Sequence, residues 1–86
     1  MERNWKLYIL RCGDGTLYTG ITTDVERRLE EHRSGKGAKY TRGRAPLHLV
    51  YVETGMDKST ALKRELEIKK MPRQEKEKLI QKTPEG

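Results

Sequence analysis

Two apolar stretches near the amino terminus, separated by a glycine-rich turn, predict a β-hairpin. They cover residues 5–12 and 17–22, and both are rich in aromatic and branched side chains. The turn between them is Gly13-Asp14-Gly15. A two-residue turn would place Tyr8 and Tyr18 on opposite faces, whereas an odd-numbered loop places them on the same face. We expect the odd-numbered loop.

A helical pattern follows the hairpin over about residues 24–34. Thr23 and Glu26 have the spacing of a capping box, and Asp24 is favourable near the positive end of the helix dipole. Spacings of three and four residues place four side chains on one face of this helix: Val25, Arg28, Leu29 and His32. Gly35 then ends the helix.

The second half of the chain predicts one strand and two helices. Residues 47–53 are rich in β-favouring side chains and predict the third strand. A second helix begins after Asp57 or Ser59 and ends near residue 70. Pro72 is well tolerated in a first helical turn, so a third helix is predicted over residues 72–82.

The predicted order of elements is ββαβαα, which fits a small three-stranded antiparallel sheet flanked by helices, an α+β fold. A chain of 86 residues allows one domain. We expect that domain to have its core over about residues 5–82 and a frayed tail at residues 83–86. The core is expected to be small, because such a short chain buries only ~60–65% of its unfolded surface.

Cysteine content and hydropathy exclude several classes of protein. The single cysteine, Cys12, cannot form an internal disulfide or a multi-cysteine zinc site. No apolar run approaches the ~20 residues that span a bilayer, and no secretion signal follows the first residues. We therefore expect a cytoplasmic protein that does not act at a membrane. Nothing in the sequence implies a protein partner, and we expect a monomer or a weak oligomer.

Basic charge is concentrated in one segment of the chain. Lys and Arg number 19 against 13 Asp and Glu, a net charge of +6. Residues 33–44, here called the basic loop because three glycines interrupt them, contribute +5, and the remaining 74 residues contribute only +1. This local excess favours a polyanionic partner, and nucleic acid is the one we expect.

Glu65 has an unusual position in the second predicted helix. The apolar face of that helix is defined by Ala61, Leu62, Leu66 and Ile68, and Glu65 lies within it. A carboxylate there must be paired, protonated, bound to a cation or at the mouth of a cleft. Pairing with Lys69, four residues later, is the ordinary explanation. The functional explanation is a ligand for Mg²⁺, which often takes only one or two protein carboxylates.

Arg28 and His32 raise the same question on the first helix. The ordinary explanation for Arg28 is an ion pair with Glu31 or packing of its stem, and a lone histidine is usually a packed or capping residue. Together they also fit a phosphate clamp, because charged donors stabilise negative charge that develops on oxygen. Tyr8 and Tyr18 have cross-strand packing as their ordinary explanation. Gly20 would then allow substrate backbone to approach.

The ordered set Tyr8, Tyr18, Arg28, His32 and Glu65 resembles the GIY-YIG endonuclease domain. The two tyrosine motifs lie ten residues apart, the arginine follows after ten more, and the histidine after four. The likeness covers about residues 5–71 and extends to the minimal, stand-alone YhbQ-like group. Residues 37–42, with Pro46, also resemble the structure-specific nucleases that cut branched DNA.

The resemblance implies an endonuclease that hydrolyses phosphodiester bonds in DNA, including branched or repair intermediates, with one Mg²⁺ or Mn²⁺ ion. Glu65 would hold the metal, and Tyr8 or Tyr18 would orient or deprotonate the attacking water. Arg28 would stabilise the transition state, and His32 would support the tyrosine hydroxyl or contact phosphate. The basic loop would contact the nucleic acid backbone through Arg33, Lys36, Lys39, Tyr40, Arg42 and Arg44.

Four places in the chain depart from the family pattern, and one of them is Ile21, where some members have a polar residue. Lys6 replaces the first glycine of the first motif, Thr19 occupies the middle of the second, and Met71-Pro72-Arg73 lacks the asparagine that many members have there. A second hypothesis is therefore a catalytically weak or inactive module that binds nucleic acid through the same basic surface. A third, docking of a partner helix through residues 73–82, has no feature that selects a partner.

Overall fold

The chain folds around a three-stranded antiparallel sheet, and the computed structural model describes residues 3–82. The strands are β1 (Trp5–Arg11), β2 (Leu17–Thr22) and β3 (His48–Met56), in the order β2-β1-β3 across the sheet. The helices are α1 (Val25–Arg33), α2 (Lys58–Lys69) and α3 (Arg73–Gln81), and one turn of 3₁₀ helix covers Lys39–Thr41. The predicted α+β fold and its order ββαβαα are confirmed. The predicted frayed tail at residues 83–86 lies outside the described residues.

The central strand β1 separates an apolar core from a polar cluster. Leu7 and Ile9 are fully buried and pack with Ile68 of α2. Because side chains alternate along a strand, the buried Tyr8 and Leu10 lie on the opposite face. Burial of each large apolar side chain contributes ~1.5–3 kcal/mol, so β1 anchors the whole fold. Within residues 3–82, no helix has the length and apolar character needed to cross a membrane.

Helices α1 and α2 each begin after an aspartate. The Asp24 carboxylate accepts a hydrogen bond from the backbone N–H of Arg27 at 3.0 Å, so Asp24 is the cap of α1. The capping box predicted at Thr23 is therefore wrong by one residue, because Asp24 has the extended backbone from which a side-chain oxygen reaches that N–H. Asp57 caps α2 in the same way and accepts from the N–H of Thr60 at 2.8 Å.

Strand β3 continues to Met56, three residues beyond its predicted end at residue 53. Met56 pairs with Trp5 across an irregularity in the register between β1 and β3. Gly55 has a φ of +79°, a left-handed conformation that glycine adopts without a steric cost. The glycine therefore lies within the strand, although its sequence position predicted an end.

The buried face of α2 differs from the predicted one. Ala61 and Ile68 are fully buried, but Leu62 and Leu66 are 43% and 58% exposed. Arg64 lies on the inner side instead, because its Nε and Nη2 donate to the carboxylate of Glu53 on β3 at 2.8–3.1 Å. That bidentate ion pair joins α2 to β3 through Arg64, and the two leucines face outward. The apolar arc predicted from Leu62 and Leu66 is thus wrong.

Helix α3 is held against β1 by a shared carboxylate. The Arg11 guanidinium donates to both oxygens of Glu77, at 2.8 and 2.9 Å. Arg73 donates to the same carboxylate at 3.1 Å, one turn earlier on α3. Leu79 and Ile80 add apolar contacts to the core around Ile9. The third helix is therefore a packed element of the fold and not only a solvated surface helix.

Candidate active site

The hairpin brings two tyrosines to the same face of the sheet. In the observed register, Tyr8 is opposite Gly20 and Leu10 is opposite Tyr18, so even-numbered residues pair with even-numbered ones. The predicted odd-numbered loop is confirmed. The ring centroids of Tyr8 and Tyr18 are 6.3 Å apart. The candidate site therefore contains two phenol groups from adjacent strands.

Helix α1 contributes His32 to this pair. Its Nε2 lies 2.8 Å from the hydroxyl oxygen of Tyr8, and its ring meets that of Tyr18 edge-on at a centroid distance of 5.3 Å. His32 is the buried residue of α1 and is only 2% exposed. Burial lowers the pKa of His32, and the positive charge of Arg28 lowers it further. The imidazole is therefore neutral at neutral pH, as a proton acceptor must be.

Thr41 determines which nitrogen of His32 carries the proton. The Thr41 hydroxyl donates to the Ala38 carbonyl at 2.9 Å, and its oxygen lies 2.9 Å from His32 Nδ1. Because the hydroxyl proton is used in this way, Nδ1 is assigned as the donor to Thr41. The Ala38 N–H also points at Nδ1, at 3.4 Å, a contact in which Nδ1 would have to accept; the shorter Thr41 contact, at 2.9 Å, decides the assignment. Nε2 is left to accept the hydrogen bond from Tyr8.

The Tyr8 hydroxyl is strongly held in its protonated form. Burial raises the pKa of Tyr8 to about 12, although the neighbouring Arg28 guanidinium acts to lower it. The negative charge of Glu65 raises it slightly, which shows that Glu65 is within electrostatic reach of the phenol. If Tyr8 accepts a proton from another molecule, it must therefore give up its hydroxyl proton at the same time. His32 Nε2 is positioned to accept that hydroxyl proton.

Two glycines make room for the Tyr8–His32 pair. A Cβ atom on Gly20 would lie 2.5 Å from the Tyr8 hydroxyl oxygen, and one on Gly37 would lie 2.3 Å from His32 Nδ1. Real Cβ atoms do not approach so closely, so a side chain at either position would displace the pair. We expected the space above Gly20 to admit substrate backbone. The Tyr8 side chain occupies that space instead.

Arg28 and Glu65 each have the ordinary partner that the sequence allowed. Arg28 Nη1 donates to Glu31 at 2.8 Å, and Glu65 pairs with Lys69 at 3.2 Å. Their burial differs, because the Arg28 side chain is 33% exposed while that of Glu65 is only 17% exposed. Both side chains nevertheless act on the pKa of Tyr8, since the Arg28 guanidinium lowers it and the Glu65 carboxylate raises it.

Glu65 would offer a metal ion one protein carboxylate. Within residues 3–82, no group of three or more His, Cys, Asp or Glu could hold a metal ion. Zinc and other ions that need three or four protein ligands are therefore a poor fit. Mg²⁺ and Mn²⁺ are hard ions, and Mg²⁺ is bound by one or two carboxylates together with water and substrate phosphate. Glu65, a carboxylate with a single surface lysine as partner, suits that arrangement.

The cations of the basic loop divide into two groups. Arg33, Arg42 and Arg44 are partly used within the protein: Arg33 donates to the Leu47 carbonyl, Arg42 Nε donates to the Gly35 carbonyl, and Arg44 pairs with Asp14. Lys36 and Lys39 are exposed, and their ammonium groups have no partner in the described part of the chain. The two lysines are thus the most available for phosphate.

Aromatic contacts connect the basic loop to the tyrosine pair. Tyr40 stacks on Tyr18 at a centroid distance of 5.8 Å, and the Arg44 guanidinium lies 4.3 Å from the Tyr40 ring centroid. Tyr40 is 41% exposed. Of the six basic-loop residues proposed to contact nucleic acid, Tyr40 therefore lies next to the candidate site itself.

Sequence reasoning missed Thr41 and Gly37. Both lie in the basic loop, where a glycine-rich segment gives no periodic pattern from which to place a side chain. The sequence gives one indication of such a contact: the basic loop begins directly after the helix that carries His32. A loop that returns over its own helix must bring some residue against that histidine, but the sequence does not say which one.

Comparisons with known proteins match nearly the whole chain. The family model for the GIY-YIG catalytic domain matches residues 4–79. A UPF0213 protein of Natronomonas pharaonis is 57% identical over 93% of this chain and 94% of its own length. A UPF0213 protein of Oceanobacillus iheyensis is 52% identical over 94% of each chain.

Two solved structures are also similar. The solution NMR structure of a UPF0213 protein from Bacillus halodurans has a TM-score of 0.61 and 49% identity, over 92% of this chain and 84% of that one. The solution NMR structure of a protein from E. faecalis has a TM-score of 0.63 and 42% identity, over 94% and 85% of the two chains.

Proposed function

This chain belongs to the GIY-YIG family, and we propose that it is an endonuclease that hydrolyses phosphodiester bonds in DNA with one Mg²⁺ or Mn²⁺ ion. The observation that carries the proposal is the buried hydrogen bond between Tyr8 and a neutral His32, with Arg28 and Glu65 within electrostatic reach. A fold alone would not require this combination. Simple packing of the hairpin would be served equally well by two phenylalanines.

In the proposed mechanism, Tyr8 takes a proton from the attacking water while its own proton passes to His32 Nε2. The Nδ1–H of His32 stays bonded to Thr41, so the imidazole gains positive charge without leaving its position. We favour Tyr8 over Tyr18 as the base because its hydroxyl is already bonded to a proton acceptor. Within residues 3–82, the Tyr18 hydroxyl has no such partner and is free to orient the water or the phosphate.

The charged groups would act on the phosphate. Arg28 would place its guanidinium against the oxygens that gain negative charge as the water attacks. Glu65 would hold the divalent cation, which supplies positive charge to the same phosphate when it is bound. Lys36 and Lys39 would contact phosphates on either side without reading bases.

Branched DNA, such as forks and flaps, is the substrate class we propose. The family branch that residues 37–42 and Pro46 resemble acts on such structures, and the basic loop that contains these residues lies next to the candidate site through Tyr40. Backbone contacts from this loop would follow phosphate positions and not base sequence.

The second candidate function is nucleic acid binding without cleavage. The two unpartnered lysines of the basic loop would serve it equally well. It predicts DNA binding that weakens as salt is added, with no cleavage in any divalent metal.

Removal of one hydroxyl separates the two functions. Tyr8→Phe is expected to lower the rate of fork cleavage by about 100-fold or more, because proton transfer by a positioned side chain typically contributes 10²–10⁴-fold. The measurement is single-turnover cleavage of a labelled DNA fork in Mg²⁺ or Mn²⁺.

Tyr51→Phe is the matched control for this change. Tyr51 also lies in the sheet, where it is half-buried while Tyr8 is buried, and its hydroxyl donates to Glu53 and not to His32. We expect Tyr51→Phe to cleave at nearly the wild-type rate. If Tyr8→Phe also cleaves at the wild-type rate, the proposed role of Tyr8 is wrong. If the wild-type protein binds the fork and cuts no DNA in either metal, it is a binding module.

A further inference from the structure

A cavity of about 210 Å³ opens beside the candidate active site, between the hairpin, the basic loop and α3. Its lining residues are Thr16, Leu17, Tyr40, Arg73 and Lys76. The volume is below the ~300–1,000 Å³ of pockets for drug-sized ligands, so a small group or one unit of a polymer suits it. None of the five residues belongs to the Tyr8–His32 pair.

The charge of the lining favours an anion. Arg73 and Lys76 both contribute cations, and no lining residue is a carboxylate. Arg73 donates to Glu77, but Glu77 is already engaged by the Arg11 guanidinium, so a single carboxylate serves two arginines. The Lys76 ammonium has no ion-pair partner within residues 3–82. The cavity therefore retains positive charge that its own surroundings do not neutralise.

The position of the cavity relates it to the bound polynucleotide. Tyr40 lines the cavity and also stacks on Tyr18, at a centroid distance of 5.8 Å. Tyr18 in turn lies 6.3 Å from Tyr8, measured between ring centroids. A strand whose scissile phosphate lies at Tyr8 would reach the cavity within a few nucleotides. Tyr40, with 41% of its surface exposed, forms the wall between the two places.

We infer that this cavity is a subsite for a nucleotide that flanks the DNA phosphate bound at Tyr8. Arg73 and Lys76 bind its phosphate, and the ring of Tyr40 contacts its sugar or base. The inference rests on the proposed function in one respect only, namely that DNA is the polymer bound. It extends the proposed DNA-contact surface from the basic loop to α3.

The test is a substitution on α3 that removes one positive charge, with binding as the readout. Lys76→Gln is expected to weaken binding of a fluorescein-labelled DNA fork about threefold or more, measured by fluorescence anisotropy in EDTA so that cleavage does not interfere. The slope of log affinity against log salt should become less negative by ~0.7–0.9, the value for loss of one phosphate contact. Thermal unfolding confirms that the variant is folded.

Lys78→Gln is the matched control. Lys78 is exposed on the same helix and does not line the cavity, and its substitution removes the same charge. Its affinity and salt slope should stay close to those of the wild-type protein. If Lys76→Gln and Lys78→Gln change binding equally, the helix acts only through its overall charge and the subsite does not exist.

Variants of Tyr40 test the contact with the sugar or base. Tyr40→Leu should weaken binding about fivefold or more with an unchanged salt slope, because stacking is lost and no charge is removed. Tyr40→Phe keeps the ring and should bind like the wild-type protein. Equal affinity of Tyr40→Leu and Tyr40→Phe would contradict the ring contact.

The outcomes distinguish this inference from the proposed function. If the wild-type protein binds forks through Lys76 but cuts none, the proposed nuclease activity fails and the subsite stands. If it cuts forks and Lys76→Gln binds as Lys78→Gln does, the subsite fails and the nuclease stands. Absence of DNA binding by the wild-type protein would overturn both.

Discussion

Thr41 lies nine residues after His32 and controls the chemistry of its ring through two hydrogen bonds of 2.9 Å. It contacts neither substrate nor metal in the proposed mechanism, so its role is to position His32. The tautomer matters because a neutral imidazole carries one ring proton, and Nε2 can accept the Tyr8 proton only when that ring proton is on Nδ1. A single buried hydroxyl therefore links the basic loop to the reacting groups.

Replacement of that hydroxyl gives a test at the scale of one residue. Thr41→Val leaves Nδ1–H without an acceptor, so we expect His32 to shift toward the Nε2–H tautomer, which can no longer accept from Tyr8. Nitrogen NMR of the imidazole should detect the shift, and kcat should fall more than KM changes. A buried unsatisfied donor also costs about 1–3 kcal/mol of stability.

Thr41→Ser keeps the hydroxyl and is the control for Thr41→Val. It should retain the wild-type tautomer and most of the cleavage rate, although it loses a buried methyl group that Thr41→Val keeps. Retention of the Nδ1–H tautomer in Thr41→Val would contradict the assignment. A merely structural role for Thr41 would lower stability in both variants and leave the tautomer unchanged.

Individual residues were predictable where a regular element held them. Tyr8 and Tyr18 share a face because strand alternation and the odd-numbered loop require it. Thr41 was not predictable, because its position depends on how a loop folds over α1. Gly20 was singled out from the sequence, but the sequence could not show that the Tyr8 ring itself fills the space above it.

Among the elements, α3 depends most visibly on charge. Hydrogen bonds from Arg11 lower the pKa of Glu77 to about 2, and Arg73 contributes in the same direction. A carboxyl group whose pKa is lowered on folding stabilises the fold at pH values above its ordinary pKa. That contribution is lost as the pH falls from about 4.5 toward about 2.

Glu77→Gln is accordingly expected to lower the free energy of unfolding at neutral pH by about 0.5–1 kcal/mol, the range of a well-formed surface ion pair. The difference from wild type should shrink as the pH falls toward 2 and reach zero below it, where Glu77 is protonated in both the folded and the unfolded state. Urea unfolding at a series of pH values measures both effects.

Glu75→Gln is the control, because Glu75 is exposed on the same helix and has no ion pair with Arg11 or Arg73. It should change stability less than Glu77→Gln does and show no comparable pH dependence. Equal losses from the two substitutions would mean that α3 is not held by the Arg11–Glu77 contact.

The elements differ in how well their buried faces could be predicted. Helix α2 was placed correctly along the chain, yet Leu62 and Leu66 face outward while Arg64 lies inward. Hydrophobic periodicity treats arginine as a surface residue, and only the strand that supplies Glu53 reveals the inward position. Tertiary ion pairs of this kind leave no local pattern in the sequence.

At the scale of the molecule, the most positively charged segment lies next to the residues of the candidate active site. The basic loop carries +5 of the net +6, and its Tyr40 touches the tyrosine pair through Tyr18. The order of elements followed from the sequence because each strand and helix has its own local signal. The cavity beside α3 did not, because it is formed by residues distant in the chain.

The central claim is that Glu65 and the Tyr8–His32 pair make this chain a metal-dependent nuclease. The most direct measurement compares cleavage of a labelled DNA fork by the wild-type protein, Glu65→Gln and Glu67→Gln. Glu67 lies on the same helix and its substitution removes the same charge, but it is exposed and pairs with Arg64.

The account predicts that the wild-type protein and Glu67→Gln cut the fork in Mg²⁺ or Mn²⁺ and not in EDTA. Glu65→Gln is expected to cut it at least about 100-fold more slowly, a barrier change of about 2.7 kcal/mol. Cleavage by Glu65→Gln at the rate of Glu67→Gln, or undiminished wild-type cleavage in EDTA, would contradict the account.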